Sequence, residues 1–170
     1  AASASTEVSP EKQAKLINLL LEQTWELVDQ KKGQEAMELL ATGATQYPND
    51  SQLRYNYALL LAQENHADAA AQEVMAVLTL DPSMPDALFL AGELADIRQD
   101  GEQANNYFKQ VVALRPDYGE AWLQLGFISM AYEPDNRAAA INYLQKAVKN
   151  SNDSEATYQL GLLYQQEPAD

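Results

Sequence analysis

Ala104-Asn105-Asn106-Tyr107-Phe108, then Pro116, then Trp122-Leu123-Gln124-Leu125-Gly126 is the stretch that decides how this chain reads. Ala104 and Phe108, four residues apart, lie on one face of a helix. Pro116 ends that helix, and Trp122-x₂-Leu125-Gly126 sits inside the next one. Stepping back 34 residues from Pro116 gives Pro82, and 34 more gives Pro48. Ala104 steps back to Ala70 and Ala36, and Gly126 to Gly92, Ala58 and Thr24. Forward of the stretch, Gly161 lies 35 residues past Gly126, and Ala140 lies 36 past Ala104. Columns that move together at one period mean repeated supersecondary units, each burying its face against its neighbours.

The element order Trp-x₂-Leu-Gly-x₂-Tyr, Ala-x₃-Phe, Pro on a 34-residue period is that of the tetratricopeptide repeat. The chain resembles that family over residues 17–166. The resemblance implies an all-α fold, a right-handed α-solenoid (a superhelix) of antiparallel helix hairpins. Four repeats at about 17–50, 51–84, 85–118 and 119–153 precede a terminal helix, 154–166. Residues 1–8 read as a flexible lead-in, and the array occupies 9–170. Small residues at 58, 92, 126 and 161 let helices approach. Phe108 and its counterparts Leu40, Val74 and Leu144 fill the space between them.

Local signals place the helix ends. Ser9-Pro10-Glu11 reads as an N-cap, a proline in the first turn and an acid at the positive end of the dipole. That helix runs to about Gln30, nearly two turns longer than the first helix of a usual repeat. Gly33 is expected to break it, with the next helix over about 34–47. Ser83-x-x-Asp86, Asp100-x-x-Gln103 and Asp117-x-x-Glu120 read as capping boxes or close variants. The turn Tyr132-Glu133-Pro134-Asp135-Asn136 is two residues longer than its counterparts and is expected to protrude. The last helix stops at Gln166 before any Ala-x₃-Phe element. Leu163 and Tyr164 are therefore expected to be incompletely covered, or covered by a neighbouring molecule or by further chain.

Composition limits the partners. The net charge is −14, a surface that repels nucleic acid and anionic lipid and attracts basic or neutral apolar partners. No apolar run reaches the length of a membrane span, so no membrane insertion is expected. There is no cysteine, hence no thiol nucleophile and no cysteine-ligated zinc. The lead-in without an initiator Met reads either as the end left by signal cleavage or as an arbitrary boundary. The first favours a periplasmic or exported protein over a cytoplasmic one.

Chemistry-bearing constellations are sparse. His66 is the sole histidine and cannot anchor a zinc site or a triad. Glu93 and Asp96, with Asp86 further back on the same helix, read as a solvated acidic face rather than a cation site. Asp96-Ile97-Arg98-Gln99-Asp100-Gly101 fails the calcium-loop pattern at Arg98. No catalytic residue, metal site or cofactor is assigned, and the chain is expected not to be an enzyme.

In the family it resembles, the first helix of each repeat lines a concave groove. Carried over, one column is Leu21, Tyr55, Phe89, Leu123 and Tyr158. The next is Trp25, Leu59, Glu93, Phe127 and Leu162, with Asn56 and Asp96 on the margin. All of these except Leu162 form the candidate partner-binding set, an aromatic and aliphatic ladder with carboxylates beside it. Members of the family that hold chaperone C-terminal carboxylates carry groove Lys, Arg and Asn. Here the groove columns contain no Lys or Arg, and only Asn56 matches. The expected activity is binding of a peptide or partner helix. The alternative is a self-assembling scaffold, a homo-oligomer that docks a terminal helix into a neighbouring molecule.

Overall fold

The computed structural model describes residues 9–151 and 153–165. The lead-in at 1–8, the helix end at Gln166 and the tail at 167–170 lie outside the described residues. Among the described residues there are nine helices and no strand. They are α1 (Pro10–Asp29), α2 (Gly33–Gln46), α3 (Ser51–Gln63), α4 (Ala67–Leu80), α5 (Pro85–Ile97), α6 (Gly101–Leu114), α7 (Gly119–Tyr132), α8 (Arg137–Ser151) and α9 (Ser154–Gln165). The chain divides into two compact units, Ala1–Asp81 and Pro82–Asp170. The first holds the hairpins α1–α2 and α3–α4. The second holds α5–α6, α7–α8 and then α9 against α8.

The columns of the sequence are the cores of these hairpins. Ala36, Ala70, Ala104 and Ala140 are buried, and so are Leu40, Val74, Phe108 and Leu144. Glycines mark the closest approaches. A Cβ added to Gly92 would stand 2.7 Å from the Phe108 ring, and one on Gly126 would stand 2.7 Å from Leu144. Gly43 faces Leu20 of α1 in the same way, at 2.6 Å. Gly161 on α9 has nothing within 4 Å of that position.

The turns inside the first three hairpins share one device. Lys31, Asn65 and Gln99 all have positive φ, near 60°. Each closes the preceding helix with the paired bonds of a Schellman motif. The Lys32 amide donates to the Leu27 carbonyl and the Lys31 amide to Val28, both at 2.9 Å. His66 to Leu61 and Asp100 to Ala95 repeat the longer bond at 2.8 and 3.0 Å. The break after α1 is therefore made at Lys31, and Gly33 is the first residue of α2. The left-handed slot falls at a fixed offset from the helix end, whatever residue stands there. Between hairpins, Tyr47, Asp81 and Arg115 leave the helical region, with ψ of 65°, 89° and 85°, as a following proline requires.

The capping signals divide. Ser9 accepts from the Lys12 amide, and Asp100 from the Gln103 amide at 3.0 Å, as expected. At α5 and α7 the N-cap positions are Met84 and Tyr118, neither making a side-chain cap bond, so Ser83 and Asp117 lie one residue outside. Pro85 opens α5 and lacks an amide hydrogen, which removes one of the donors a cap would serve. The fourth hairpin turn also differs from expectation. One of its two extra residues lengthens α7 to 14 residues, against 13 in α3 and α5. The other lengthens the connector, residues 133–136, which are exposed. Asn136 closes it by donating its amide to the Glu133 carbonyl at 2.8 Å, without any left-handed residue.

Candidate functional site

The candidate partner-binding residues sit on the first helices of their hairpins, or for Tyr158 on α9, and most are partly exposed. In the first unit Leu21, Trp25, Tyr55 and Leu59 are half-buried. Asn56 is buried, and its amide nitrogen donates to the Gln52 carbonyl at 2.7 Å. In the second unit Phe89, Glu93, Leu123 and Phe127 are half-buried, Asp96 is exposed, and Tyr158 is 60% exposed. Burial raises the Glu93 carboxyl above its ordinary range. In water that carboxyl would ionise freely; beside apolar helix surface its charged form is disfavoured.

Phe89 is already engaged within its own unit. Its ring stacks on Tyr118 with centroids 5.2 Å apart and tilts against Phe108 at 5.3 Å. Tyr118 comes from the connector before α7. Its hydroxyl lies 3.3 Å from Asp86 Oδ1, and the Arg115 guanidinium lies over its ring at 4.7 Å. Arg115 also pairs with Asp86 at 3.8 Å. The result is a ladder of cation, ring and ring leading down to the buried Phe108. Column arithmetic did not reveal it, because Tyr118 and Arg115 belong to the connector and not to the repeated helix face. Leu123 is likewise drawn into packing, against the cluster formed by Leu144, Ala147 and Ala156 at the α8–α9 junction.

The first unit has a different charged feature. Arg54 pairs with Glu73 at 2.7 Å across the α3–α4 hairpin, both partly exposed. Arg54 Nε also donates to the Pro48 carbonyl at 2.7 Å. Burial first, and the Glu73 carboxylate second, raise the Tyr57 hydroxyl above its ordinary range. Arg54, Glu73, Tyr57 and Thr45 line a shallow depression on that face.

A cleft in the second unit was not foreseen. It holds about 270 Å³ and lies between the α7–α8 turn and α9. Ser129, Glu133, Arg137 and Gln159 supply its polar lining, and Met130, Pro134, Ala140, Leu162 and Leu163 its apolar walls. Ser129 is only 3% exposed. Its Oγ, together with Nε and Nη2 of Arg137, is buried without a hydrogen-bond partner. The signal available in the sequence was Arg137 at the head of a helix behind a lengthened turn. The cleft it lines is walled by α9, one repeat further along. Among the described residues no three His, Asp or Glu side chains gather to hold a metal ion. No described helix is long and apolar enough to cross a membrane.

No protein-family model matches the chain, and no curated protein does. Solved structures do. MamA, residues 41 to the end, from Desulfovibrio magneticus RS-1 superposes with a TM-score of 0.77 at 21% identity, over 89% of this chain and 85% of that one. PilF of Pseudomonas aeruginosa gives 0.80 at 16% identity, over 91% and 70%. YrrB, a TPR protein with an unusual peptide-binding site, gives 0.67 at 25% identity, over 75% and 66%. Taken with the 34-residue columns of the sequence, these likenesses make the chain a helical array of the tetratricopeptide-repeat fold.

Proposed function

We propose that the chain is a protein-binding module that uses the first helices of its hairpins to receive an extended peptide or a partner helix. The observation that carries this reading is the run of half-exposed aromatic and aliphatic side chains on those helices. Trp25, Tyr55 and Leu59 provide it in the first unit, and Phe127 and Tyr158 in the second. Exposed apolar residues grouped on one surface mark interaction sites, and Trp and Tyr anchors dominate binding energy. The net charge of −14 favours a basic or neutral apolar partner and speeds its encounter. The fold supports binding rather than catalysis, and the peptide-binding site of YrrB is a precedent on the same fold. The test is a pull-down with the intact chain beside two variants, Tyr55→Ala with Leu59→Ala, and Phe127→Ala with Tyr158→Ala. Loss of the captured partner in either variant, with helix content unchanged, supports the reading. Capture that survives both variants together overturns it.

A second reading rests on α1. Its N-terminal extension carries exposed Leu16, and exposed Leu19 follows a turn later. Those residues favour a scaffold in which the terminal helices of one copy dock on another. Light scattering coupled to size exclusion decides it: a monomer mass at every concentration sinks the scaffold, and dissociation on Leu16→Gln with Leu19→Gln supports it.

A further inference from the structure

We propose that the cleft between the α7–α8 turn and α9 is a carboxylate-binding site. In it Arg137 grips the carboxylate side-on and Ser129 adds a further hydrogen bond. Nε and Nη2 of Arg137 are the two buried nitrogens without a partner. They lie on the same edge of the planar guanidinium, spaced to meet both oxygens of a carboxylate. A guanidinium is a planar cation with donors and no acceptor, so an anion is its best partner. The Ser129 hydroxyl lines the same cleft, is almost fully buried and is equally unpaired. Buried polar atoms are nearly always paired, and three orphans on two residues that line one cleft point to a ligand that pairs them.

The surroundings select the ligand. Met130, Pro134, Leu162 and Leu163 form the walls. They suit a carboxylate carried on an apolar residue and leave the outer oxygens of a phosphate facing hydrocarbon. Glu133 and Gln159 also line the cleft, but Oε2 of Glu133 accepts from Asn136 Nδ2 at 3.1 Å and Gln159 Nε2 donates to Glu155 Oε1 at 2.7 Å. The ligand class is therefore a peptide carboxylate flanked by apolar side chains, either a chain end or an acidic side chain. This goes beyond the binding reading above and shares no residue with it.

The experiment uses the whole chain and four probes. These are acetyl-Leu-Leu with a free carboxylate, its C-terminal amide, acetyl-Leu-Glu-Leu amide and inorganic phosphate. Binding is followed by titration calorimetry and by the Arg137 Nε–H resonance. Acetyl-Leu-Leu or the Glu peptide is expected to bind at least about tenfold better than the amide, the scale of a charge-assisted bond. Whichever of the two binds better identifies the source of the carboxylate. Arg137→Met and Arg137→Lys should both abolish that preference, the second because a lysine lacks the planar fork. Arg137→Met should not lower the melting temperature. Equal binding of acid and amide, phosphate binding as tightly as the peptides, or no binding overturns the proposal. So does an Arg137→Met variant that melts well below the parent, since that marks a structural cation. If Glu133 supplies the partner in solution, Glu133→Gln destabilises the chain and no probe binds, which also overturns it.

Discussion

Arg54 on α3 and Trp122 on α7 occupy the same column two repeats apart. Each donates to the carbonyl of the proline before its helix, Pro48 at 2.7 Å and Pro116 at 2.8 Å. Across their hairpins the partners also correspond, Glu73 on α4 and Tyr143 on α8. In the first unit the pair is an ion pair at 2.7 Å. In the second it is a stack, Trp122 on Tyr143 with centroids 6.0 Å apart, and Lys146 lies 4.1 Å above the Trp122 ring. These two repeats therefore meet one geometric demand, a donor that reaches the proline carbonyl and a flat partner opposite, with different chemistry. The repeat between them carries Leu88 in the same column, buried and without a donor.

Salt and truncation separate the two solutions. Trp122→Ala should cost about 3 kcal/mol, because a large half-buried side chain, its hydrogen bond and its stack are lost together. The cost should be nearly the same at low and high salt. Arg54→Met should cost about 1 kcal/mol at low salt, and less as salt screens the pair it replaces. Urea unfolding at two salt concentrations measures both. A salt-dependent Trp122 effect, or a salt-independent Arg54 effect, would erase the distinction drawn here.

The small-residue column offers the next test. α3 has Ala58 where α7 has Gly126, and α4 has Val74 where α8 has Leu144, all of them buried. A Cβ on Gly126 would press on Leu144 at 2.7 Å. Gly126→Ala alone should therefore cost about 2 kcal/mol through overpacking. Adding Leu144→Val, which copies the α3–α4 pair, should recover most of that. A double-mutant cycle reads the coupling directly. If the double variant is no better than the sum of the singles, the two columns do not compensate one another.

The turns of the two hairpins differ as well. Asn65 closes α3 with φ of 63°, while the α7–α8 connector has no left-handed residue. Left-handed backbone costs most residues about 1 kcal/mol, and costs Asn less. Gln99→Gly, at the equivalent position after α5, should stabilise by about 0.5–1 kcal/mol, and Asn65→Gly by a few tenths. Glu133→Gly should give no gain, because φ there is −128°. A stabilised Glu133→Gly would mean that the fourth turn closes like the others in solution.

The same contrast explains what could be read from the sequence. The period, the buried columns and the helix count were legible because each depends on contacts that recur from repeat to repeat. Helix breaks were less so. Gly33 marks a break in the sequence, yet the left-handed slot belongs to Lys31 by position. Ser83 and Asp117 had the right chemistry one residue too early. Among candidate site residues, the column placed Phe89 on a first helix. It could not show that Tyr118, from a connector, covers one face of its ring. The Arg137 cleft was invisible for a similar reason: its walls come from a lengthened turn and from α9, features that occur once.

The smallest effect concerns the column Leu59, Glu93, Phe127, where the middle hairpin carries a carboxyl between two apolar neighbours in the period. Burial raises the Glu93 carboxyl above its ordinary value of 4.5. The folded chain thus holds this proton more tightly than the unfolded chain does. The stability linked to it is fully present below the unfolded value and is lost as pH rises through the folded one. At neutral pH Glu93 is a charge held where its desolvation is unfavourable. Glu93→Gln should therefore raise the melting temperature at pH 7.5, by no more than about 2 °C. The difference from the parent should close as pH falls towards 4. Glu93→Leu, which copies α3, should move in the same direction and remove the pH dependence equally. A Gln variant that melts below the parent at pH 7.5 would mean that the carboxylate is satisfied by a favourable partner, and that this hairpin bears no cost for its charge.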